Sequence, residues 1–251
     1  MPTKQRSGSA ETPTLAVQAF SRLHADILSA KLRPGEKMYV ERLRETYGVG
    51  ATPLREALSK LTSLDLVTAE GQRGFRVAPV STANLLDITK TRAWVEGTAL
   101  RAAIAGGDRR WEGQVLAAAH RLRGCPKSDG ERLSDEWYRE NREFHDALAG
   151  ACNSPQTMIF RTKLYDLSDR YRRLSVQNGL GGRDFDAEHQ SIMDAALARD
   201  ADAAISLTID HFVETTRVIL SGESSDQDWV DRTIDQLRRD IRAGLGSFPA
   251  K

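Results

Sequence analysis

Apolar residues recur at helical spacing along most of this chain, and only one short stretch alternates in the manner of a β-strand. That stretch covers residues 75–78 and follows a turn at residues 71–74. A period of two indicates a strand, whereas spacings of three and four indicate a helix. The chain is therefore predicted to be mainly α, with a single two-stranded hairpin.

Three helical segments precede the hairpin. The first begins near Thr14 and ends at a Pro-Gly turn at 34–35, and the second covers about Val40 to Tyr47. The third opens at Thr52, because threonine can cap a helix and the proline that follows is tolerated at the first helical position. Three helices, two of them joined by a tight glycine turn, and a basic hairpin predict a winged helix-turn-helix.

The rest of the chain gives no strand signal after Ser81. It divides into helical segments separated by turns that contain glycine or proline. Seven helices with short connections predict an all-α antiparallel bundle. The predicted segments are 81–105, 109–123, 131–150, 155–177, 183–199, 201–221 and 226–243.

The distribution of charge supports a division into two domains. Residues 1–80 hold 12 Lys and Arg against 8 Asp and Glu, so the remaining residues hold 24 against 27, and the two parts carry +4 and −3. A small basic module joined to a larger acidic domain is typical of a nucleic-acid-binding protein. We expect a flexible tail at 1–13, a DNA-binding domain at 14–80, and a domain at 81–245 that binds an effector and dimerises.

Overall composition excludes several other classes of protein. The net charge of +1 excludes a polybasic chain that binds any polyanion. The two cysteines are too few for a disulfide framework, which favours a reducing compartment. No run of about 18 apolar residues is present, and the first residues lack the apolar core of a signal peptide. The expected location is cytoplasmic, with no membrane partner.

A specific motif lies around the second and third helices. It consists of a Pro-Gly turn, then Gly48-Val49, then Thr52-Pro53-Leu54-Arg55-Glu56-Ala57-Leu58, and finally an Arg-Gly pair in the wing. This motif resembles the DNA-binding domain of the GntR family of bacterial transcription regulators, over roughly a third of the chain. An all-helical part behind such a domain is similar to the FadR-like subgroup, whose ligand-binding module is the FCD domain. The resemblance implies a regulator that binds double-stranded DNA.

The DNA-facing residues are predicted around the third helix. A recognition helix enters the major groove with its N-terminal residues, while nearby hydroxyls and basic side chains hold phosphates. Arg55 lies opposite the apolar face that carries Leu54 and Leu58, so it can contact DNA without disturbing the core. In the alternative interpretation, the arginines of the second helix lie on a solvated surface and form ion pairs within the helix. The predicted DNA-binding residues are Arg42, Arg44, Thr52, Arg55, Arg73 and Gly74.

One position departs from the family pattern. By resemblance Thr52 and Arg55 match contact positions, but Ala51 stands where the family usually has an arginine that reads a guanine. Loss of such a contact removes about 1 to 3 kcal/mol of base discrimination. The operator is therefore expected to differ from the family's commonest one. A homodimer would read it as an inverted repeat, because the half-sites mirror the two-fold symmetry of the protein.

Three of the five histidines are predicted to face the interior of the bundle. These are His145, which lies four residues after Asn141 on the same helical face, His189 and His211. A buried imidazole without a partner is costly, so each needs a hydrogen bond or a ligand. Three separate core histidines are one interpretation. The other is a divalent metal site, because three imidazoles and an amide oxygen on facing helices are ligands that borderline metals accept.

The family resemblance favours the metal site. Metal-binding FCD domains carry Asp-x-x-x-His on one helix and two later histidines, and the matching residues here are Asn141, His145, His189 and His211. Asparagine in place of aspartate removes one negative charge, so the site is expected to hold its metal less tightly. Zinc is the favoured ion, with nickel or manganese as alternatives.

An organic acid could occupy the coordination positions that three histidines and one oxygen leave open. Arg92 matches an arginine found in many such pockets, and a surface ion pair with Glu96 is the alternative interpretation. The favoured function is a transcription repressor controlled by a small carboxylate. A metal-dependent hydrolase is less favoured, because Glu143 and Glu188 are expected to point away from the metal and no other general base is near. A pure metal sensor is the third possibility.

Overall fold

A computed structural model of the protein describes residues 13–71, 74–129, 132–175 and 183–246. The predicted tail, apart from its last residue, lies outside these ranges, as do Arg73 and the predicted turn at 179–182. Contacts along the backbone divide the chain into two units, Met1–Pro79 and Val80–Lys251.

The first unit contains three helices and a small sheet. Its elements are α1 (Leu15–Leu28), β1 (Lys37–Met38), α2 (Val40–Tyr47), α3 (Ala51–Ser63), β2 (Val67–Ala69) and β3 (Phe75–Val77). The sheet has three strands in the order β1-β3-β2, all antiparallel, and not the two strands predicted. The extra strand β1 pairs Lys37 with Arg76 and Met38 with Phe75. This is the architecture of a winged helix-turn-helix.

Two glycines form the turn between α2 and α3. Gly48 ends α2 in the left-handed conformation with φ of 66°, which glycine adopts without a steric penalty. Gly50 is the N-cap of α3 and no side chain caps this helix, so the prediction that Thr52 is the cap was wrong. Thr52 lies instead within the first turn, exposed. The apolar face of α3 is buried through Leu54 and Leu58, as the periodicity predicts.

The second unit is a bundle of seven helices within the described residues. The helices are α4 (Thr82–Gly106), α5 (Arg109–Gly124), α6 (Asp135–Ala149), α7 (Pro155–Ser175), α8 (Phe185–Leu197), α9 (Ala201–Glu223) and α10 (Gln227–Leu245). Six of them begin beside a side-chain oxygen that accepts a hydrogen bond from a backbone amide three residues on, which satisfies a donor that the first helical turn leaves free. These capping residues are Ser81, Asp108, Ser134, Asp184, Asp200 and Asp226.

The second unit also contains a short hairpin that the sequence did not predict. It is formed by β4 (Ser128–Asp129) and β5 (Arg132–Leu133), which pair antiparallel. The hairpin occupies the start of the segment predicted as helix 131–150, and α6 therefore begins only at Asp135.

Helix α4 lies at the centre of the bundle and packs against α6, α7, α9 and α10. One apolar cluster is built around Leu100, Trp111 and Phe144, and a second around Leu85, Val213 and Ile234. None of the described helices is long and apolar enough to cross a membrane.

Candidate metal centre and DNA-binding surface

Three helices bring the predicted histidines together. His145 comes from α6, His189 from α8 and His211 from α9, and all three are buried. Their ring centres are 4.9 Å apart for His189 and His211, 5.4 Å for His145 and His211, and 5.6 Å for His145 and His189. One nitrogen from each ring lies within 4.8 Å of the other two. The three imidazoles therefore form one group that could hold a metal ion.

The group is enclosed by aromatic side chains. Phe144, Phe185 and Phe212 each lie within 6.5 Å of two or more of the histidine rings, measured between ring centres. Burial in these surroundings lowers the pKa of His145 and of His189 well below the usual value, and the neighbouring imidazole of His211 adds to the effect. The imidazoles are therefore neutral at pH 7, which is the form that binds metals.

Several nitrogens of the group have no hydrogen-bond partner. Both ring nitrogens of His145 and the Nδ1 of His189 are buried and unpaired in the part of the chain that the structure describes. Such orphaned atoms are rare in proteins, and an ion or ligand at the site is one explanation for them. The donor set thus fits a borderline divalent metal, as the sequence predicts.

Glu188 contacts the site, although the sequence predicted that it would point away. Its Oε2 lies 2.6 Å from the Nδ1 of His211, and Arg183 donates to both of its oxygens. Burial alone would raise the pKa of Glu188, but the hydrogen bonds from His211 and Arg183 lower it to about 2. A carboxylate on Nδ1 leaves the Nε2 of His211 free to bind a metal, and such outer partners orient metal ligands. Glu143 is exposed, as predicted.

Asn141 lies at the edge of the histidine group. Its Nδ2 is 3.1 Å from the Nε2 of His189. Its Oδ1 accepts hydrogen bonds from the Oη of Tyr165 at 3.1 Å and from the Nη1 of Arg172 at 2.9 Å. A guanidinium has donors only, so it must face the oxygen of the amide. The structure therefore brings Asn141 beside the histidines with its oxygen directed away from them.

Arg92 is buried, so the predicted alternative of a surface ion pair with Glu96 was wrong. The guanidinium lies over the ring of Phe212, 3.8 Å from its centre, and donates to the Oγ of Ser168 at 3.0 Å. Its Nε has no partner, and none of the ion pairs among the described residues includes Arg92. Burial lowers its pKa to about 10, which still leaves it charged at pH 7. A buried cation without a carboxylate is costly and favours an anionic ligand.

Glu96 pairs instead with Arg161 of α7, and both side chains are 1% exposed. The sequence pattern did not predict this pair, because the partners come from different helices. Arg172, Tyr165 and Arg183 were also missed. Each lies beside a predicted site residue only because of how α7 and the segment before α8 pack, and nothing local in the sequence indicates that packing.

The predicted DNA-facing side chains that the structure describes in α2 and α3 are exposed. Arg55 projects from the first turns of α3, and Arg42 and Arg44 project from α2. Arg44 also forms an ion pair with Glu41, with 2.6 Å between Nη1 and Oε2. Gly74 at the wing has φ of 98°, a conformation that favours glycine.

The chain is similar to known proteins both in fold and in sequence. The fold is similar to that of McbR/YncC of Escherichia coli, which superimposes with a TM-score of 0.72 at 18% identity, covering 85% of this chain and 100% of that one. The model for bacterial regulatory proteins of the gntR family matches residues 15–77, and the FCD domain model matches residues 87–214. The chain belongs to the gntR family and carries an FCD domain.

Two relatives are similar over most of their length. The HTH-type transcriptional regulator BphR of Paraburkholderia xenovorans is 37% identical, over 84% of this chain and 87% of the relative. The HTH-type transcriptional repressor GlaR of Escherichia coli K12 is 36% identical, over 81% of this chain and 95% of the relative. Family members are regulators that bind DNA and usually act as dimers. The hydrolase alternative is therefore set aside.

The metal-free protein should lose stability between about pH 6.5 and about pH 4. Burial lowers the pKa of His211 from 6.5 to about 4 against the opposing effect of Glu188, and the other two imidazoles shift in the same direction. In this range the unfolded chain binds more protons than the folded one, so the stability present above pH 6.5 is lost as the pH falls. Each histidine contributes at most about 1.4 kcal/mol per pH unit.

Urea unfolding followed by tryptophan fluorescence measures this slope, because all four tryptophans lie in the second unit. Replacement of His145 by leucine should make the free energy of unfolding depend less steeply on pH, because up to one proton fewer is bound on unfolding. Replacement of the exposed His120 by alanine is the matched control and should leave it unchanged. Equal slopes for wild type and the His145 variant would contradict a buried neutral imidazole.

Proposed function

We propose that this protein is a transcription repressor whose affinity for DNA is set by a small carboxylate bound in the helical domain. One observation carries the proposal. The helical domain contains a buried group of three histidines together with Arg92, a buried residue that forms no ion pair among the described residues. The histidines would hold a divalent ion, with zinc favoured over nickel or manganese, and a bound ion supplies a Lewis-acidic centre for an oxygen ligand. The name of GlaR as a repressor supports the direction of regulation.

A pure metal sensor is the second candidate, and Arg92 favours the acid-controlled repressor over it. A sensor that responds to the ion alone has no use for a buried guanidinium that forms no ion pair among the described residues. The positive charge of Arg92 would also oppose the entry of a cation, because like charges repel and are screened very little in a buried site. An acid, by contrast, would balance the charge of the guanidinium and accept a hydrogen bond from its free Nε.

The site is connected to the segment that joins the two units. Arg172 bonds to Asn141, and its neighbour Tyr171 contacts the start of α4. The Oη of Tyr171 accepts from the amide of Ser81 at 3.1 Å and lies 2.8 Å from the Oδ1 of Asn84. We infer that a ligand that moves this part of α7 also moves Ser81, directly after the boundary between the units. A ligand changes an equilibrium only through different affinity for its two states.

On DNA, we propose that a homodimer binds an inverted repeat through α3 and the wing. One winged helix offers too small a footprint for tight specific binding, so we assign dimer contacts to the helical unit. Two neighbouring apolar side chains of α7, Ile159 and Phe160, are each 59% exposed there. The contacts to DNA would come from Arg55 and Thr52 to bases, and from Arg42, Arg44 and the wing at Arg73 and Gly74 to phosphates.

Selection from a pool of random duplexes tests the proposal. The full-length protein should enrich one inverted repeat at physiological salt, and Arg55→Ala should weaken binding to that site by about 1 to 3 kcal/mol. Arg44→Ala is the matched control: a phosphate contact should weaken all sequences alike and reduce the dependence on salt. Enrichment of no sequence would overturn the proposed function. Equal loss on all sequences for Arg55→Ala would remove Arg55 from the base contacts.

A further inference from the structure

We propose that Asn141 makes metal binding and acid binding at the histidine site depend on each other, so that neither ligand is held tightly alone. This inference rests on the proposed function and concerns how its site is regulated. It follows from the direction of one amide and from the charges around it.

The protein offers the metal no oxygen ligand from Asn141. Both hydrogen bonds to its Oδ1 come from Tyr165 and Arg172, at 3.1 and 2.9 Å. The group that faces the histidines is the Nδ2, a donor, 3.1 Å from the Nε2 of His189. Rotation of the amide would set N–H groups against the guanidinium of Arg172, which has no acceptor. The chain therefore supplies three neutral imidazoles to the ion.

The charges that border this site are mainly positive. Arg92 forms no ion pair among the described residues, and its Nε has no hydrogen-bond partner. Arg172 is paired with Asp169, and Arg183 with Glu188. Among the described residues, a divalent cation that enters the site meets no carboxylate without an ion-pair partner, and its binding is weakened accordingly.

A carboxylate ligand supplies the missing negative charge. It gives the ion an oxygen ligand of the kind that Asn141 withholds, and it gives Arg92 an ion-pair partner. Each ligand then improves the site for the other. Because binding free energies are reciprocal, the acid must raise the affinity for zinc by the same factor by which zinc raises the affinity for the acid. The repressor would respond to the acid only where the metal is present.

Asn141→Asp tests this inference. An aspartate has two oxygens, so one can face Arg172 and Tyr165 while the other faces the histidines. The variant should bind zinc at least about tenfold more tightly than wild type in the absence of any acid, which is the scale on which partners of ligands change metal affinity. The measurement is competition with a chromophoric chelator on the full-length, metal-stripped protein. Asn153→Asp is the matched control, because it adds the same charge at an exposed position.

A second variant guards against misfolding of the first. Arg172→Leu removes one of the two donors to the Oδ1 of Asn141 and leaves only the hydroxyl of Tyr165, which can also accept, so the amide oxygen can turn towards the histidines. Zinc affinity should again rise, by a smaller factor. In wild type, zinc should also increase the rise in unfolding temperature caused by any acid of a panel of simple mono- and dicarboxylates, and this increase should shrink in Asn141→Asp.

The outcomes separate the inference from the function on which it rests. Equal zinc affinities for wild type, Asn141→Asp and Arg172→Leu would overturn the inference, as would an acid that binds wild type equally well with and without zinc. The three-histidine metal site would still stand in both cases. Failure of all the proteins to take up zinc would instead overturn the metal site itself.

Discussion

Replacement of His189 by alanine should reduce the affinity for zinc by more than about 100-fold. Loss of an outer partner of a metal ligand already costs about 10- to 100-fold, and His189 is itself one of the three histidines that, among the described residues, bring a ring nitrogen within 4.8 Å of one another. It is also the only donor that α8 contributes to the group. Chelator competition under the same conditions as for wild type measures the change.

His120→Ala is the control for this experiment. His120 is exposed on α5 and lies outside the histidine group, so its loss tests for adventitious binding by surface imidazoles. We expect the zinc affinity of this variant to equal that of wild type. A His189 variant that binds zinc as well as wild type would reduce the three residues to ordinary core histidines.

Glu96→Ala should reduce the free energy of unfolding of the helical unit by about 3 to 5 kcal/mol. Glu96 on α4 and Arg161 on α7 are joined at 3.0 Å, and each side chain is 1% exposed. Removal of the glutamate leaves the buried guanidinium with Asp146 of α6 as its one remaining carboxylate partner among the described residues. The same arginine connects the three helices α4, α6 and α7, so its disturbance should also loosen the histidine group.

An exposed pair between α4 and another helix provides the matched control. Arg101 and Asp202 lie 2.7 Å apart with side chains 58% and 84% exposed. Solvent-exposed pairs contribute about 0 to 1 kcal/mol, so Asp202→Ala should cost no more than that. Urea unfolding followed by tryptophan fluorescence compares the two variants. Similar losses would show that burial does not distinguish these pairs.

Helix positions in this protein were predictable because their determinants are local. Turns with glycine or proline and capping side chains such as Ser81 and Asp226 act within a few residues of the helix end. The strands β1, β4 and β5 were not predictable, since two residues cannot display an alternation. The start of α3 was predicted at the wrong cap because threonine is the commoner capping residue, whereas here the extended backbone of Gly50 takes that position.

The site was predictable only as far as each helix determines it alone. The inward direction of His145, His189 and His211 follows from the apolar faces of their own helices. The partners of these residues depend on packing between helices. Glu188 precedes His189 on α8 and therefore points elsewhere, but α9 brings His211 to it. Glu96 lies four residues after Arg92 on the same helix, but it forms its ion pair with Arg161 of α7.

The affinity of the dimer for its selected operator, with and without acid, tests the central claim most directly. The acid is the member of the carboxylate panel that raises the unfolding temperature of zinc-loaded protein, and fluorescence anisotropy gives the affinity for DNA. For wild type, we expect the acid to weaken binding by a factor in the usual range of about 5- to 150-fold for coupled sites. The His189→Ala variant should bind the same DNA as tightly as wild type without acid and show no response to it. A full response in the variant would contradict control of DNA binding by the histidine site.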